Sequence, residues 1–307
     1  MSTDVLVPSP PGPGIGPGID LHRSMNSRRV RNMIATGLVT GAFVLALVPL
    51  VLVLGTVIAR GLSRLSPYFL THSMRGVAPQ NASGGIYHAI VGTVQQVGIA
   101  TLISVPIALL AAIYLVEYGR GRLAKTISFF VDVMTGLPSI VAGLFIYTLF
   151  ILTLGGSFAG IYGALALSIL MIPVVVRSTE EMLRLVPNEL RESSYALGVS
   201  RWRTVLKIVM PTALPGILTG VMLGVARITG ETAPLLLTTF FTTSLNTDPF
   251  HGAQTALPQY IYVEATRGLP AAVDRAWAAA LTLIIIVMML NLVARIVAWR
   301  TTRKAAR

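Results

Sequence analysis

The chain has 307 residues, 54% of them apolar and only 12% charged, against roughly 25% charged in soluble domains. That shortfall points to a membrane protein, so the net charge of +12 is read from where the charges lie and not as a footprint for nucleic acid. Cysteine is absent, which excludes disulfides and thiolate metal sites, and the histidines His22, His72, His88 and His251 show no ligand spacing.

Residues 8–19, "PSPPGPGIGPGI", are too rich in proline and glycine for a regular element and predict a disordered tail. A basic cluster, "RSMNSRRVRN", follows, and then the first apolar run, about 33–59. It is too long for the core of a signal peptide and lacks a small-residue cleavage site, so it predicts a retained anchor helix. Five further runs, near 86–116, 127–153, 158–178, 211–239 and 273–298, are each long enough to cross about 30 Å of hydrocarbon. The expectation is an all-α polytopic protein with six transmembrane helices and both termini on one side.

Charge sets the orientation. With the N-terminus inside, seventeen Lys and Arg fall in inner segments and five in outer loops (Arg60, Arg64, Arg75, Arg267 and Arg275). This bias predicts cytoplasmic termini. Two arginines remain within or at the ends of spans, Arg177 and Arg227.

The segment "GRGRLAKT", 119–126, approaches the phosphate-cradling loop of nucleotide-binding proteins, but Ala124 stands where the second glycine is needed. It also follows a membrane span and not a strand, so it reads as a basic turn and not an ATP site. Arg177 follows "MIPVVV" at the inner end of the fourth span, where it either snorkels to the headgroups or marks a pathway, with Asp132 a candidate partner.

Residues 179–209 form the longest polar interval between spans and predict two short helices. Asn188 is the expected cap of the first, Glu189 and Glu192 suit its opening turns, Gly198 ends it, and Ser200 caps the second. The plain alternative from periodicity is a solvated amphipathic loop on the headgroups.

In "ARITGETAPLLLTTF", 226–240, Arg227 and Glu231 lie four apart in an apolar run. A charge at the bilayer centre costs about 2.5–3.5 kcal/mol, whereas an exposed i,i+4 pair returns only about 0.3–0.5. They therefore face water or protein and not lipid. Gly230 and Pro234 loosen the helix around them, and a buried structural ion pair is the plain alternative to a transport role.

The stretch "ESSYALGVSRWRTVLKIVMP" resembles the cytoplasmic loop of ABC-type importer permeases, with Glu192, Gly198, Ile208 and Pro211 at the family's spacing. Ser193 and Ser194 replace two alanines and Met210 a leucine. "GLPSIVAGLF" (136–145), "PVVVRSTEEML" (173–183), "ARITGETAPLL" (226–236) and "AWAAALTL" (276–283) extend the likeness to the A-type permease subunits of phosphate-specific Pst importers, over about residues 84–298.

The resemblance implies a type I ABC importer permease of MetI-like fold in a bacterial cytoplasmic membrane. It divides the chain into a tail (1–31), a first transmembrane helix (32–62), a permease core (63–299) with a coupling loop (179–209), and a basic C-terminus (300–307). The implied partners are membrane lipid, a homologous permease, two ATPase subunits that hydrolyse the ATP, and an extracytoplasmic phosphate-binding protein. Arg177, Arg227 and Glu231 would line the substrate pathway, and Glu192, Ser193, Ser194, Gly198, Ile208 and Pro211 would contact the ATPase. No cofactor, metal or covalent chemistry is implied. A sulfate, molybdate or phosphonate permease, an ATP-independent anion channel or secondary transporter, and a non-transporting scaffold remain the alternatives.

Overall fold

The computed structural model describes residues 25–305, and the Pro/Gly-rich tail expected at 8–19 lies outside them. The chain divides into two compact units at Gly55. The described part of the first is helical, residues 25–55 of helix α1 (Met25–Leu62), with an apolar run from Met33 onward. Its helix begins within the segment expected as tail.

The second unit is helical among its described residues. Helix α2 (Pro67–Thr71) precedes α3 (Tyr87–Ile113), which runs on through a π-helical turn at Tyr114–Tyr118. Then come α4 (Arg122–Gly136), α5 (Ser139–Ile146) with a π turn at Tyr147–Thr153, and α6 (Gly160–Arg184). Two short helices, α7 (Asn188–Ala196) and α8 (Arg201–Thr204), lead through a third π turn into α9 (Met210–Thr229). Helices α10 (Ala233–Thr238), α11 (Leu257–Thr266) and α12 (Pro270–Ala305) complete the chain.

Five of these helices are long and apolar enough to cross a membrane, and the α4–α5 pair makes a sixth if taken as one span. That pair departs from the single run expected over 127–153, for it bends by 107° at Leu137–Pro138. A residue before proline is pushed out of the helical region, and Leu137 sits at ψ 130°. The run expected over 211–239 also differs: its helix starts earlier, at Arg201, and stops at Thr229, where Gly230 ends it.

The core lies between α3, α6 and α9. Helices α3 and α6 run parallel, tied at mid-length by buried rungs in which Ser104 Oγ donates to the Ser168 carbonyl (3.3 Å) and Ser168 Oγ to the Ala100 carbonyl (3.4 Å). Around them Ala100, Ala108, Leu167, Met171, Val175 and Ile217 close an apolar interior. Helix α9 packs antiparallel on α6 through three glycines at four-residue spacing. A methyl on Gly216 would meet Met182, on Gly220 Ser178, and on Gly224 Val175 and Met171. Small residues at this spacing let helix backbones approach closely where lipid supplies no hydrophobic drive.

The same device joins α5 to α10, since a methyl on Gly143 would lie 2.6 Å from the Pro234 backbone. At the α11 end of the bundle, the 239–256 loop is pinned to α3: Gln96 Nε2 donates to the Gln254 carbonyl and Gln254 Nε2 to Gln95 Oε1.

Candidate functional site

The chemistry-bearing residues gather at three levels along the bundle. At one end, α7 and α8 form a helix–glycine–helix element. Gly198 sits at φ +75°, the left-handed region that favours glycine, and the Gly198 and Val199 amides donate to the Tyr195 and Ser194 carbonyls to close α7. Asn188 does not cap α7. The cap position is Pro187, and Asn188 Oδ1 accepts instead from Arg191 Nη1 at 3.3 Å. Ser200 holds the cap position of α8 but makes no side-chain cap; its carbonyl takes the amides of Arg203 and Thr204.

Ser194 is buried and shares a 2.8 Å hydrogen bond with Thr204, which fastens α7 to α8. This gives the serine at that position a packing reason. Glu192, Ser193 and Gly198 are exposed, Ile208 is half-buried and Pro211 exposed. Leu190, Tyr195, Leu197 and Trp202 are exposed as well, so the element presents apolar side chains around a polar helix.

Beneath it lies an ion pair that spacing alone did not single out. Glu117, 3% exposed, accepts from Arg191 Nε at 3.1 Å and Nη2 at 2.8 Å. Arg191 also donates to the Leu183 and Val186 carbonyls. Arg201 donates to the Glu117 carbonyl and lies over the Tyr118 ring. The π turn after α3, the end of α6 and both short helices are thereby clamped around Glu117 and Arg191. Glu117, Arg184, Arg191, Glu192, Tyr195 and Arg201 line a cleft of about 450 Å³ there.

One level up, about 10 Å from the end of α6 at 1.5 Å per residue, Arg177 does not snorkel outward. Its guanidinium turns to α4, where Nη2 donates to Asp132 and to Ser128 Oγ (2.9 Å), while Nη1 donates to Glu180 (2.6 Å). Glu180 in turn pairs with Arg184 at 2.5 Å. The Arg177, Glu180, Arg184 spacings of three and four are those of a helical charge ladder, and Asp132, the candidate partner from sequence, closes it from α4.

Extending the α6–α9 register from the glycines puts Arg227 opposite about Met171, roughly 9 Å further along the axis from Arg177 and near the middle of α6. Arg227 lies in the last turn of α9, and Glu231 follows the break at Gly230, so the two do not share one continuous helix. Their closest approach is 4.0 Å, from Nε to Oε1, with side-chain exposures of 50% and 20%. Among the described residues this is the one polar contact of the Arg227 side chain. Arg177 and Arg227 are therefore not brought together, and neither meets the α7–α8 element.

A further buried charge cluster lies at the opposite end. Arg275, fully buried, pairs with Glu264 at 2.7 Å and donates to the Pro79 and Asn81 carbonyls, and Arg267 joins Glu264 at 2.8 Å. By sequence, Arg267 and Arg275 are outer-loop charges and nothing more. The Glu264–Arg275 spacing of eleven is one that no local rule singles out.

Residues 104–304 match the family model described as binding-protein-dependent transport system inner membrane component. The chain is 50% identical over 278 residues to the phosphate transport system permease protein PstA 1 of Mycobacterium tuberculosis, covering 90% of this chain and 91% of that one. It is 41% identical over 274 residues to PstA of Haemophilus influenzae, covering 88% and 94%. Among solved structures it is similar to a bacterial alginate ABC transporter (TM-score 0.64, 16% identity, 91% of this chain and 98% of that one). It is also similar to the inward-facing MetNI methionine ABC transporter (TM-score 0.57, 19% identity, 77% and 99%). The latter two share the fold and carry different cargoes, so the fold alone does not name a substrate. A membrane-spanning helical bundle, a family match over most of its length and a half-identical relative agree: the chain belongs to the binding-protein-dependent transport system inner membrane components, in the branch that holds the PstA permeases.

Proposed function

We propose that this chain forms half of the membrane pathway of an ATP-driven inorganic phosphate importer. A homologous permease completes the pathway, two ATPase subunits hydrolyse the ATP, and an extracytoplasmic protein delivers the phosphate. The observation that carries the reading is Arg227, a half-exposed guanidinium near mid-depth in a chain half-identical to a phosphate transport permease. A dehydrated tetrahedral oxyanion needs charged donors, and guanidinium offers a planar fork that stays protonated. Glu231, 4.0 Å away, opposes that attraction and keeps the anion from being trapped. The seventeen-to-five charge bias supports cytoplasmic termini. The exposed Glu192, Gly198 and Trp202 surface of α7–α8 supports docking of the ATPase from that side.

Reconstitution of the chain with its four partner subunits in liposomes tests this. Uptake of radiolabelled phosphate should require both ATP and the binding protein. Uptake without ATP, or uptake of sulfate in place of phosphate, would overturn the proposal.

A further inference from the structure

Arg177 and Arg227 differ in how their charge is met. Arg227 has one carboxylate at 4.0 Å and half its side chain exposed. Arg177 has two carboxylates in hydrogen-bond contact, Asp132 and Glu180, plus Ser128. Glu180 is shared with Arg184 at 2.5 Å, so Asp132, Arg177, Glu180 and Arg184 together carry no net charge. As the helices stand, Arg177 has no unopposed charge to offer an oxyanion.

The two acids on Arg177 are not equivalent. Glu180 has a side chain only 9% exposed and lies one turn along the same helix, so it travels with Arg177. Asp132 is 65% exposed and comes from a different helix. That helix, α4, buries only Val131 and breaks from α5 by 107°. At this level α4 is held on α6 by the Asp132 and Ser128 contacts and by Val131 and Ile127, which pack on the core. The exposed edge of the Arg177–Asp132 pair also cannot face hydrocarbon at low cost, which leaves the path, the companion subunit or the headgroup layer.

We infer that Asp132 is a built-in counter-anion for Arg177, holding the place on its guanidinium that a phosphate oxygen takes when α4 separates from α6. This rests on the phosphate reading above. Carboxylate and phosphate oxygens offer the same acceptors to a guanidinium fork, so one substitutes for the other without loss of hydrogen bonds. Passage is then ordered. The anion meets the open Arg227 first and gains Arg177, roughly 9 Å further on, only as Asp132 leaves. Return of Asp132 displaces the anion inward. Asp132 is on this account a positioning residue that acts through Arg177.

The test uses the purified complex of this chain with its companion permease and ATPase pair, without the binding protein or ATP. Binding of radiolabelled phosphate is measured by equilibrium dialysis. Asp132→Asn keeps the side-chain shape and removes the charge, and it should tighten phosphate binding about tenfold, within the usual range of coupling between sites. Asp132→Glu should restore the wild-type value, and adding Arg177→Gln to Asp132→Asn should erase the gain. Asp132→Ser, which also removes the charge, should behave as Asp132→Asn does. Wild-type phosphate affinity in both charge-removed variants would overturn the inference. So would failure of both to assemble while Asp132→Glu assembles, since Asp132 would then be a structural strut. If the complete wild-type system moves no phosphate at all, the phosphate reading fails first and takes this inference with it.

Discussion

Arg191 reaches back across 74 residues to lay two guanidinium nitrogens on the Glu117 carboxylate, at 3.1 and 2.8 Å, in a site almost closed to solvent. The pair joins the last turn of a membrane helix to the helix proposed to meet the ATPase. Breaking a buried pair from one side costs about 3–5 kcal/mol, because the remaining charge is stranded. Glu117→Ala should therefore lower the unfolding midpoint of the purified chain and the yield of assembled complex. The double variant Glu117→Gln with Arg191→Gln should recover part of both. Thermal unfolding in detergent checks the prediction.

Arg227→Gln is expected to abolish or strongly reduce phosphate uptake while leaving the complex assembled, since it removes a charged donor without opening a hole. Glu231→Gln leaves the arginine unopposed and should slow turnover through tighter anion retention. The charge-swapped pair, Arg227→Glu with Glu231→Arg, should not transport. Its cation moves past the break at Gly230, off the end of α9. Full uptake by the swapped protein would mean that the pair is structural. Uptake and co-purification of partners, measured on the same preparations, separate the cases.

Gly198 stands at φ +75° with open space around the position a side chain would take. Substitution there meets backbone strain and no clash. Gly198→Ala should cost about 1 kcal/mol of stability and reduce transport only in part. Gly198→Trp places bulk on the exposed turn between α7 and α8, and should leave membrane insertion intact while weakening ATPase association and uptake. Pull-down of the ATPase subunits reads the difference.

Single cysteines can be introduced into a chain that has none. Phe250→Cys should react with a membrane-impermeant maleimide in intact cells. Val199→Cys should react only after the membrane is disrupted. The reverse pattern would invert the orientation drawn from the charge bias.

Composition and periodicity were enough to determine that this chain is helical, crosses a membrane and carries charge where lipid would forbid it. These are local properties: the free energy of placing each run in hydrocarbon depends on its own residues. The helix–glycine–helix element was legible for the same reason, since Gly198 and the residues around it set that geometry over a few positions. The break of α4 from α5 was also written locally, in Leu137–Pro138, but an apolar run masks it because hydropathy is blind to direction.

Tertiary structure alone decided the partners of the charges. Glu117 and Arg191, and Glu264 and Arg275, lie 74 and 11 residues apart, and nothing in the spacing selects one carboxylate over another. Asp132 was a candidate for Arg177 by its depth in the span, 45 residues away, and packing chose it. The choice follows from helix packing. The glycines of α9 bring it against α6, the serine rungs set α3 beside α6, and each arginine then pairs with the acid within its reach. From sequence, Arg177 stands at the inner end of a span with Asp132 a candidate partner, and Arg227 stands four residues before Glu231 in an apolar run. Packing satisfies the first with Asp132, Glu180 and Ser128 and leaves the second half exposed, because α4 lies against α6 at Arg177 and α9 ends just past Arg227.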